Sequence, residues 1–326
     1  YWFVQKQGVF VVLNVLFAIF LMNFDYKALQ NYGRNLYIFN AIMLLLVMII
    51  GQTALGAQRW IQLGPITLQP SEFSKIIMII ALAAMLEDRV GKLNTVSDIL
   101  PVVGYVALPF FLVLKQPDLG TSLVFIAILL GMMFVAGVNL RILAAGFAAG
   151  VAASPLLWLF LKDYQKMRLK VFLDPSVDPL GSGYHIIQSK IAIGSGLIFG
   201  KGLFGGTQSQ LNFLPENHTD FIFAVVGEEL GFVGAAALLL LYLVVLWRGV
   251  KIARDASDTF GRLLAVGITS MLAFHVLVNV GMTTGIMPVT GIPLPLMSYG
   301  VSSLTTNLIA ITILLNIHMR KAKFVF

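Results

Sequence analysis

The chain has 326 residues, of which 58% are hydrophobic and only 11% charged, whereas soluble domains carry about 25% charged residues; an ordinary soluble domain is excluded. It has no cysteine, which removes disulfides, thiol nucleophiles and Cys-ligated metals, and its four histidines are scattered without a zinc-type pair. The net charge of +7 fits basic cytoplasmic loops of a polytopic membrane protein and not a nucleic-acid partner.

The apolar residues fall in long blocks, which suit membrane-spanning helices and not the alternating strands of a barrel. Spans are predicted at roughly 8–24, 36–54, 72–87, 98–115, 119–137, 142–161, 220–248, 262–286 and 300–318, nine in all, within one transmembrane domain over 1–326. The chain begins at Tyr1 with no charged region or cleavage site, so no signal peptide is read, and a truncated N-terminal end is expected. Most connections are short. The segment 162–219 is 58 residues long and polar, as functional loops are. Within it His185–Gly196 is apolar but too short to span, and predicts an interfacial or re-entrant helix.

Orientation follows from the basic residues of the short loops. Lys27, Arg34, Arg89, Lys92, Arg141, Arg248, Lys251, Arg254, Arg262, Arg320, Lys321 and Lys323 share one side, against Lys6, Arg59, Lys75 and Lys115 on the other. The richer side is cytoplasmic by the positive-inside rule, so Arg59, Trp60, the long loop and Asp220 face outward. No internal repeat supports an inverted-repeat transporter.

Polar residues near predicted helix ends are the candidates for chemistry. In Gln69–Lys75, Pro70 and Ser71 mark a helix start, and Glu72 and Lys75 share a face at i, i+3. That pair reads either as an internal ion pair or as a phosphate-binding cation held by a carboxylate. In Lys115–Ser122, Asp118 is a candidate cap, and Lys115 placed opposite it can snorkel. With Arg59, these residues predict a mixed-charge cluster suited to a diphosphate, with or without a metal ion.

The stretch Leu214–Gly231 is the most informative. Asp220 stands at the mouth of an apolar helix predicted to run unbroken to about Trp247, with Glu228 and Glu229 about two turns inside. Acids in such places are costly and are functional candidates by default. Asp220 reads as a helix cap or as a general base, and the two are compatible because both need the ionised form. His218 and Glu216 beside it read first as loop solvation. Pro288, Pro293 and Pro295 break the chain between spans eight and nine, predicting a groove-lining loop or a tight turn. The Gly-rich piece 194–206 lacks the ending of a phosphate-binding P-loop.

Taken together and in order, GAQRWIQLG (56–64), QPSEFSK (69–75), KQPDLGTS (115–122), LDPSVDPLGSGYHIIQSKIAIGSG (173–196), GTQSQLNFLPENHTDFIFAVVGEELG (206–231) and GIPLPLMSYG (291–300) closely resemble the SEDS (shape, elongation, division, sporulation) family of bacterial membrane proteins. The resemblance covers essentially the whole chain and points to the rod-shape branch. It implies a helical bundle of ten transmembrane helices with both termini cytoplasmic, so the first would precede Tyr1. It implies a peptidoglycan glycosyltransferase in the bacterial cytoplasmic membrane that polymerises lipid II into glycan strands on the outer face. A class B penicillin-binding protein would be the partner, and a divalent cation, Mg or Mn, a possible cofactor. The family's essential acid corresponds to Asp220, and its other polar residues to Arg59, Trp60, Glu72, Lys75 and Asp118. Val301 departs from the glycine common at that position and puts any role for Ser302 in doubt. The rival expectations are a lipid II flippase, which needs a polar path through the membrane, and a non-catalytic scaffold for the transpeptidase.

Overall fold

The computed structural model describes residues 2–54, 57–64, 66–161, 163–179 and 181–321. Gly56, Leu180 and Lys323, and the chain end at Tyr1, lie outside the described residues. In chain order, α1 (Trp2–Met22), α2 (Ala28–Asn31) and α3 (Gly33–Ile50) lead into strands β1 (Gln52–Ala54), β2 (Ala57–Leu63) and β3 (Ile66–Leu68). Then come α4 (Pro70–Glu87), α5 (Val96–Lys115), α6 (Leu119–Val135), α7 (Leu140–Phe160), α8 (Asp163–Leu173) and a 3-10 turn at Pro175–Val177. The rest is helical: α9 (Ser182–Ser195), α10 (Thr207–Gln210), α11 (Ile222–Asp255), α12 (Thr259–Thr284) and α13 (Val301–Met319).

Every predicted span falls on a helix, which confirms the all-helical membrane class. Six of these helices among the described residues are long and apolar enough to cross a membrane by length and composition, so that measure does not recover all nine expected spans. Helix α4 is outside the six because its 18 residues carry three charges, Glu72, Lys75 and Glu87, and α6 because it has only 17 residues. The second span was expected to reach residue 54. It stops at Ile50, and the chain turns into a three-stranded antiparallel sheet in the order β1-β2-β3, which the sequence reading missed. Strands β1 and β3, of three residues each, are too short to show an alternating pattern, and the seven residues of β2 do not alternate.

The chain divides into two compact units, one formed by Tyr1–Leu143, Leu246–Phe274 and Tyr299–Phe326, the other by Ala144–Val245 and His275–Ser298. In the first, α3 packs on α4 and α1 on α13, around buried Leu44, Val47, Met78, Ile79 and Leu82. Helix starts there are chemically marked. Pro70 opens α4, Thr95 and Asp98 form a reciprocal capping box on α5, and Asp118 caps α6.

In the second unit α9 is a helix, as predicted from its apolar run. At 14 residues it is about 21 Å long, short of a bilayer core of about 30 Å. It packs through Ala192 against Leu214, Phe221 and Ala224.

The largest departure from expectation is in α11, which is not continuous. At Gly231 the backbone takes φ 66 and ψ −164, a region open essentially to glycine alone. The break leaves orphan carbonyls on the first limb and orphan N–H groups on the second. The segment 197–202 satisfies both. Lys201 and Gly202 N–H donate to the Glu228 and Glu229 carbonyls at 3.1 and 3.0 Å. Phe232 and Val233 N–H donate to the Leu197 and Ile198 carbonyls at 2.8 and 3.0 Å. The spanning part of α11 is therefore its second limb from Phe232, about 36 Å long.

The fully buried Glu228 side chain completes this clasp. Its Oε1 accepts from Gln208 N–H at 2.9 Å, Lys201 Nζ at 2.9 Å and Thr207 Oγ1 at 3.3 Å, and its Oε2 from Ser209 N–H at 3.0 Å. Glu228 is thus a structural anchor for the loop that precedes Asp220.

A Cβ on Gly231 would lie 2.3 Å from the Gly200 nitrogen, so Gly231→Ala is expected to lose at least about 1–3 kcal/mol. The check is thermal unfolding of the purified protein in detergent, and an unchanged midpoint would contradict this account of the break. Glu228→Ala takes the acceptor from the Gln208 and Ser209 amides, and is expected to cost about 1–3 kcal/mol for each amide left unsatisfied. Glu228→Gln keeps one acceptor and should unfold between the two. Equal midpoints for all three proteins would show that the clasp carries little stability.

Candidate active site

The candidate residues fall in both units. In the first, the register of the sheet decides where Arg59 points. Gln52 pairs with Trp60 but Thr53 pairs with Gln58, so Arg59 is the extra residue of a bulge. Bulges re-aim side chains. Arg59 Nε donates to the Gln116 carbonyl at 2.9 Å, a second guanidinium nitrogen donates to the Pro117 carbonyl, and Nη1 lies 3.7 Å from Asp118 Oδ2. Half-buried Trp60 follows on the same strand.

Asp118 is almost fully buried. It accepts from Thr121 N–H at 3.1 Å, Thr121 Oγ1 at 3.0 Å and Gln69 Nε2 at 3.3 Å. The cap reading is correct, and the same carboxylate also answers Arg59. The expected opposition of Lys115 to Asp118 is not found. Lys115 ends α5 exposed, with no ion pair among the described residues.

Near the start of α4, Lys75 Nζ donates to Glu72 Oε1 at 2.7 Å, with side chains 1% and 4% exposed. A buried pair of this kind is weak evidence for stability, because desolvation offsets most of the attraction. Glu72 Oε2 has no hydrogen-bond partner among the described residues. Just before the pair, Gln69 N–H donates to Ser302 Oγ at 3.0 Å. Ser302 thus has a definite contact although Val301 replaces the more common glycine. In this unit, then, Arg59, Gln69, Asp118 and Thr121 come together, and Glu72 with Lys75.

In the second unit, Asp220 and His218 belong to a turn closed by Phe221 N–H to the Glu216 carbonyl at 3.1 Å. Helix α11 begins at Ile222, so Asp220 precedes it by two residues. His218 Nδ1 lies 3.0 Å from Asn217 Oδ1, and Asn217 Nδ2 donates to the Ser209 carbonyl at 2.9 Å. The turn is therefore tied to the strap that Glu228 holds. Phe221 stacks on His185 with ring centroids 5.8 Å apart. Burial pushes the His185 imidazole below its ordinary pKa, against the nearby Glu216 carboxylate, so the ring packs on Phe221 in its neutral form at pH 7.

The Pro-rich segment supports Asp220 from α12 onward. Asn279 Nδ2 donates to the Asp220 carbonyl at 2.9 Å and to the Ile292 carbonyl at 2.8 Å. Ser298 Oγ donates to the Thr219 carbonyl at 2.6 Å and accepts from Leu294 N–H at 2.8 Å. Gly291, at φ +76, lies beneath the acid, and a Cβ there would be 3.3 Å from Asp220 Oδ2. Sequence reasoning did not find Asn279, because a single polar residue in an apolar helix carries no pattern, and Gly291 and Ser298 stood within the motif 291–300 with no role assigned. Gln69 and Ser302 stood within its motifs with no role assigned.

The family model for the FtsW/RodA/SpoVE cell cycle proteins matches residues 1–323. The chain is 43% identical over 312 residues to the peptidoglycan glycosyltransferase MrdB of Escherichia coli, covering 95% of this chain and 84% of that protein. It is 41% identical over 321 residues to stage V sporulation protein E of Bacillus subtilis, covering 97% and 87%. Among solved structures it resembles a chain from work on structural coordination of polymerization and crosslinking by a peptidoglycan synthase complex, at 34% identity and TM-score 0.86 over 98% of this chain and 90% of that one. It also resembles the crystal structure of the rod shape determining protein RodA of Thermus thermophilus, at 32% identity and TM-score 0.73, over 98% and 88%. Agreement of sequence and fold over nearly the full length makes this chain a member of the FtsW/RodA/SpoVE family, the SEDS membrane proteins.

Proposed function

We propose that the chain is a peptidoglycan glycosyltransferase that polymerises lipid II on the outer face of the bacterial cytoplasmic membrane during rod elongation, with Asp220 as general base. The observation that carries this reading is the placing of Asp220, an acid built into the approach to an apolar helix and held there through its main chain. The names of the relatives, peptidoglycan glycosyltransferases among them, support the activity.

The donor carries a diphosphate on the anomeric carbon of its MurNAc. The acceptor's GlcNAc 4-hydroxyl gives its proton to the Asp220 carboxylate as its oxygen bonds to that carbon. The bond to the diphosphate breaks, and the lipid diphosphate leaves with the electron pair. Attack from the opposite face inverts the centre and turns an α-linked diphosphate into a β-1,4 linkage. Because diphosphate leaves readily once its charge is neutralised, a single base suffices, unlike the acid and base pair of a glycoside hydrolase. Arg59, Lys75 and Lys115 would supply that neutralisation. Trp60 would offer an apolar face to the sugar or lipid, Glu72 and Asp118 would hold the cations in place, and His218 would contact the acceptor side.

The divalent cation has weaker support. Among the described residues no three His, Asp or Glu side chains converge to hold a metal, and Glu72 and Asp118 already face Lys75 and Arg59. These residues do not form a metal site of their own, and no step above depends on one. The flippase reading gains nothing from Glu228, whose carboxylate is consumed by the clasp at 201–209. A class B penicillin-binding protein is the partner this reading implies, in line with the complex from which one structural relative comes. Membrane lipid surrounds the rest.

Asp220→Asn is expected to lower polymerisation of lipid II by about 10²–10⁴-fold in the purified protein with its transpeptidase. Glycan product made by the variant at the wild-type rate would remove the base assignment. Glu72→Gln and Lys75→Met each strand a buried partner and should cost about 3–5 kcal/mol, and the double variant should recover much of that stability. If Lys75 acts on the diphosphate, the stable double variant still polymerises poorly. A double variant restored in both stability and rate would reduce the pair to a structural one.

A further inference from the structure

Resting on the reading of Asp220 as the base, we infer that Asn279 and Ser298 are positioning residues that clamp the Asp220 main chain onto the Pro-rich segment 285–298 and so set the place of the carboxylate. The two side chains grip consecutive carbonyls. Ser298 holds Thr219 and Asn279 holds Asp220. Asn279 spends both amide hydrogens on carbonyls, those of Asp220 and Ile292. Its amide orientation is thereby fixed, since the oxygen turned that way would face two acceptors. Ser298 receives Leu294 N–H while it donates to Thr219, so its hydroxyl direction is fixed as well.

Both clamp residues are themselves held. Asn279 is fully buried and Ser298 nearly so. A further strut pins the segment, where Tyr242 Oη donates to the Pro295 carbonyl at 2.6 Å. Apolar anchors flank the acid on the same frame. Phe223 packs with Tyr242, Val276 and Leu294, and Phe221 lies in a cluster that Val289 packs against. The prolines limit the segment's own freedom. Gly291 keeps the space beside the carboxylate open, since a side chain there would press on Asp220 Oδ2.

None of these bonds from Asn279 or Ser298 uses the carboxylate oxygens. They fix where the base is, and proton transfer is left to the acid itself. Misplacing a catalytic group by about 1 Å costs on the order of 10²-fold in rate, so the clamp bears on turnover and not on substrate affinity.

The test is lipid II polymerisation by the full chain with its transpeptidase, using Ser298→Ala, Ser298→Thr and Asn279→Leu in wild-type and Asp220→Asn backgrounds. Ser298→Ala and Asn279→Leu are expected to lower kcat by about 10–100-fold with KM for lipid II within about twofold. Ser298→Thr, which keeps the hydroxyl, should restore most of the rate. In the Asp220→Asn background the same changes should cost less than about twofold, because the group they position is gone. Should Asn279→Leu fail to fold, the Ser298→Ala and Ser298→Thr pair decides alone. Wild-type kcat in Ser298→Ala beside an inactive Asp220→Asn would overturn the clamp and leave the base reading standing. An equal loss in both backgrounds would also overturn it, as a merely structural effect. Wild-type activity in Asp220→Asn itself would remove the base reading and the clamp with it.

Discussion

A charged or polar group carried on an apolar helix must find its partner inside the protein, because hydrocarbon offers none. Each unit of this structure is arranged around answers to that constraint. Glu72 is answered by Lys75 one turn along, Asp118 by Arg59 and by the first turn of α6, and Glu228 by Lys201 and two backbone amides. The break at Gly231 poses the same problem for the backbone. Its orphan groups are closed by the segment 197–202. The Gly-rich piece of the long loop is therefore part of the helix it precedes.

The solutions differ in how local they are, and this decides how much of them could be read. Glu72 and Lys75 are three residues apart, and Asp118 caps the helix it precedes, so spacing alone announced both. Long apolar blocks announced the helices in the same way. Arg59 could be flagged as a cation on the outer side, but its aim comes from a bulge that exists only once Gln52 has paired with Trp60. The partners of Glu228 lie 19 to 27 residues away along the chain, and nothing local distinguishes it from Glu229 next to it. Gly231 was hidden for a related reason. A glycine inside an apolar run is compatible with a continuous helix, and only the fold shows its positive φ and the approach of Gly200 that leaves no room for a Cβ.

The same contrast runs through the candidate site. Asp220 was legible because an acid beside an apolar helix is anomalous in itself. Asn279 was not, because one asparagine in an apolar helix is unremarkable until its two acceptors are known. Ser298 stood within a recognisable motif, yet its bond to Thr219 joins residues 79 positions apart. The proposed base could be singled out from sequence as an anomalous acid, and the residues that hold its main chain could be named only from the fold.

The way Asp220 is held also suits its proposed task. An acid fixed by bonds to its own carboxylate would be stabilised as the anion and made a poorer proton acceptor. The bonds from Asn279 and Ser298 end on main-chain carbonyls and constrain position without touching the carboxylate. A general base needs a fixed place and a usable pKa at once. Anchoring the main chain meets the first of these needs with donors that end on carbonyls and not on the carboxylate.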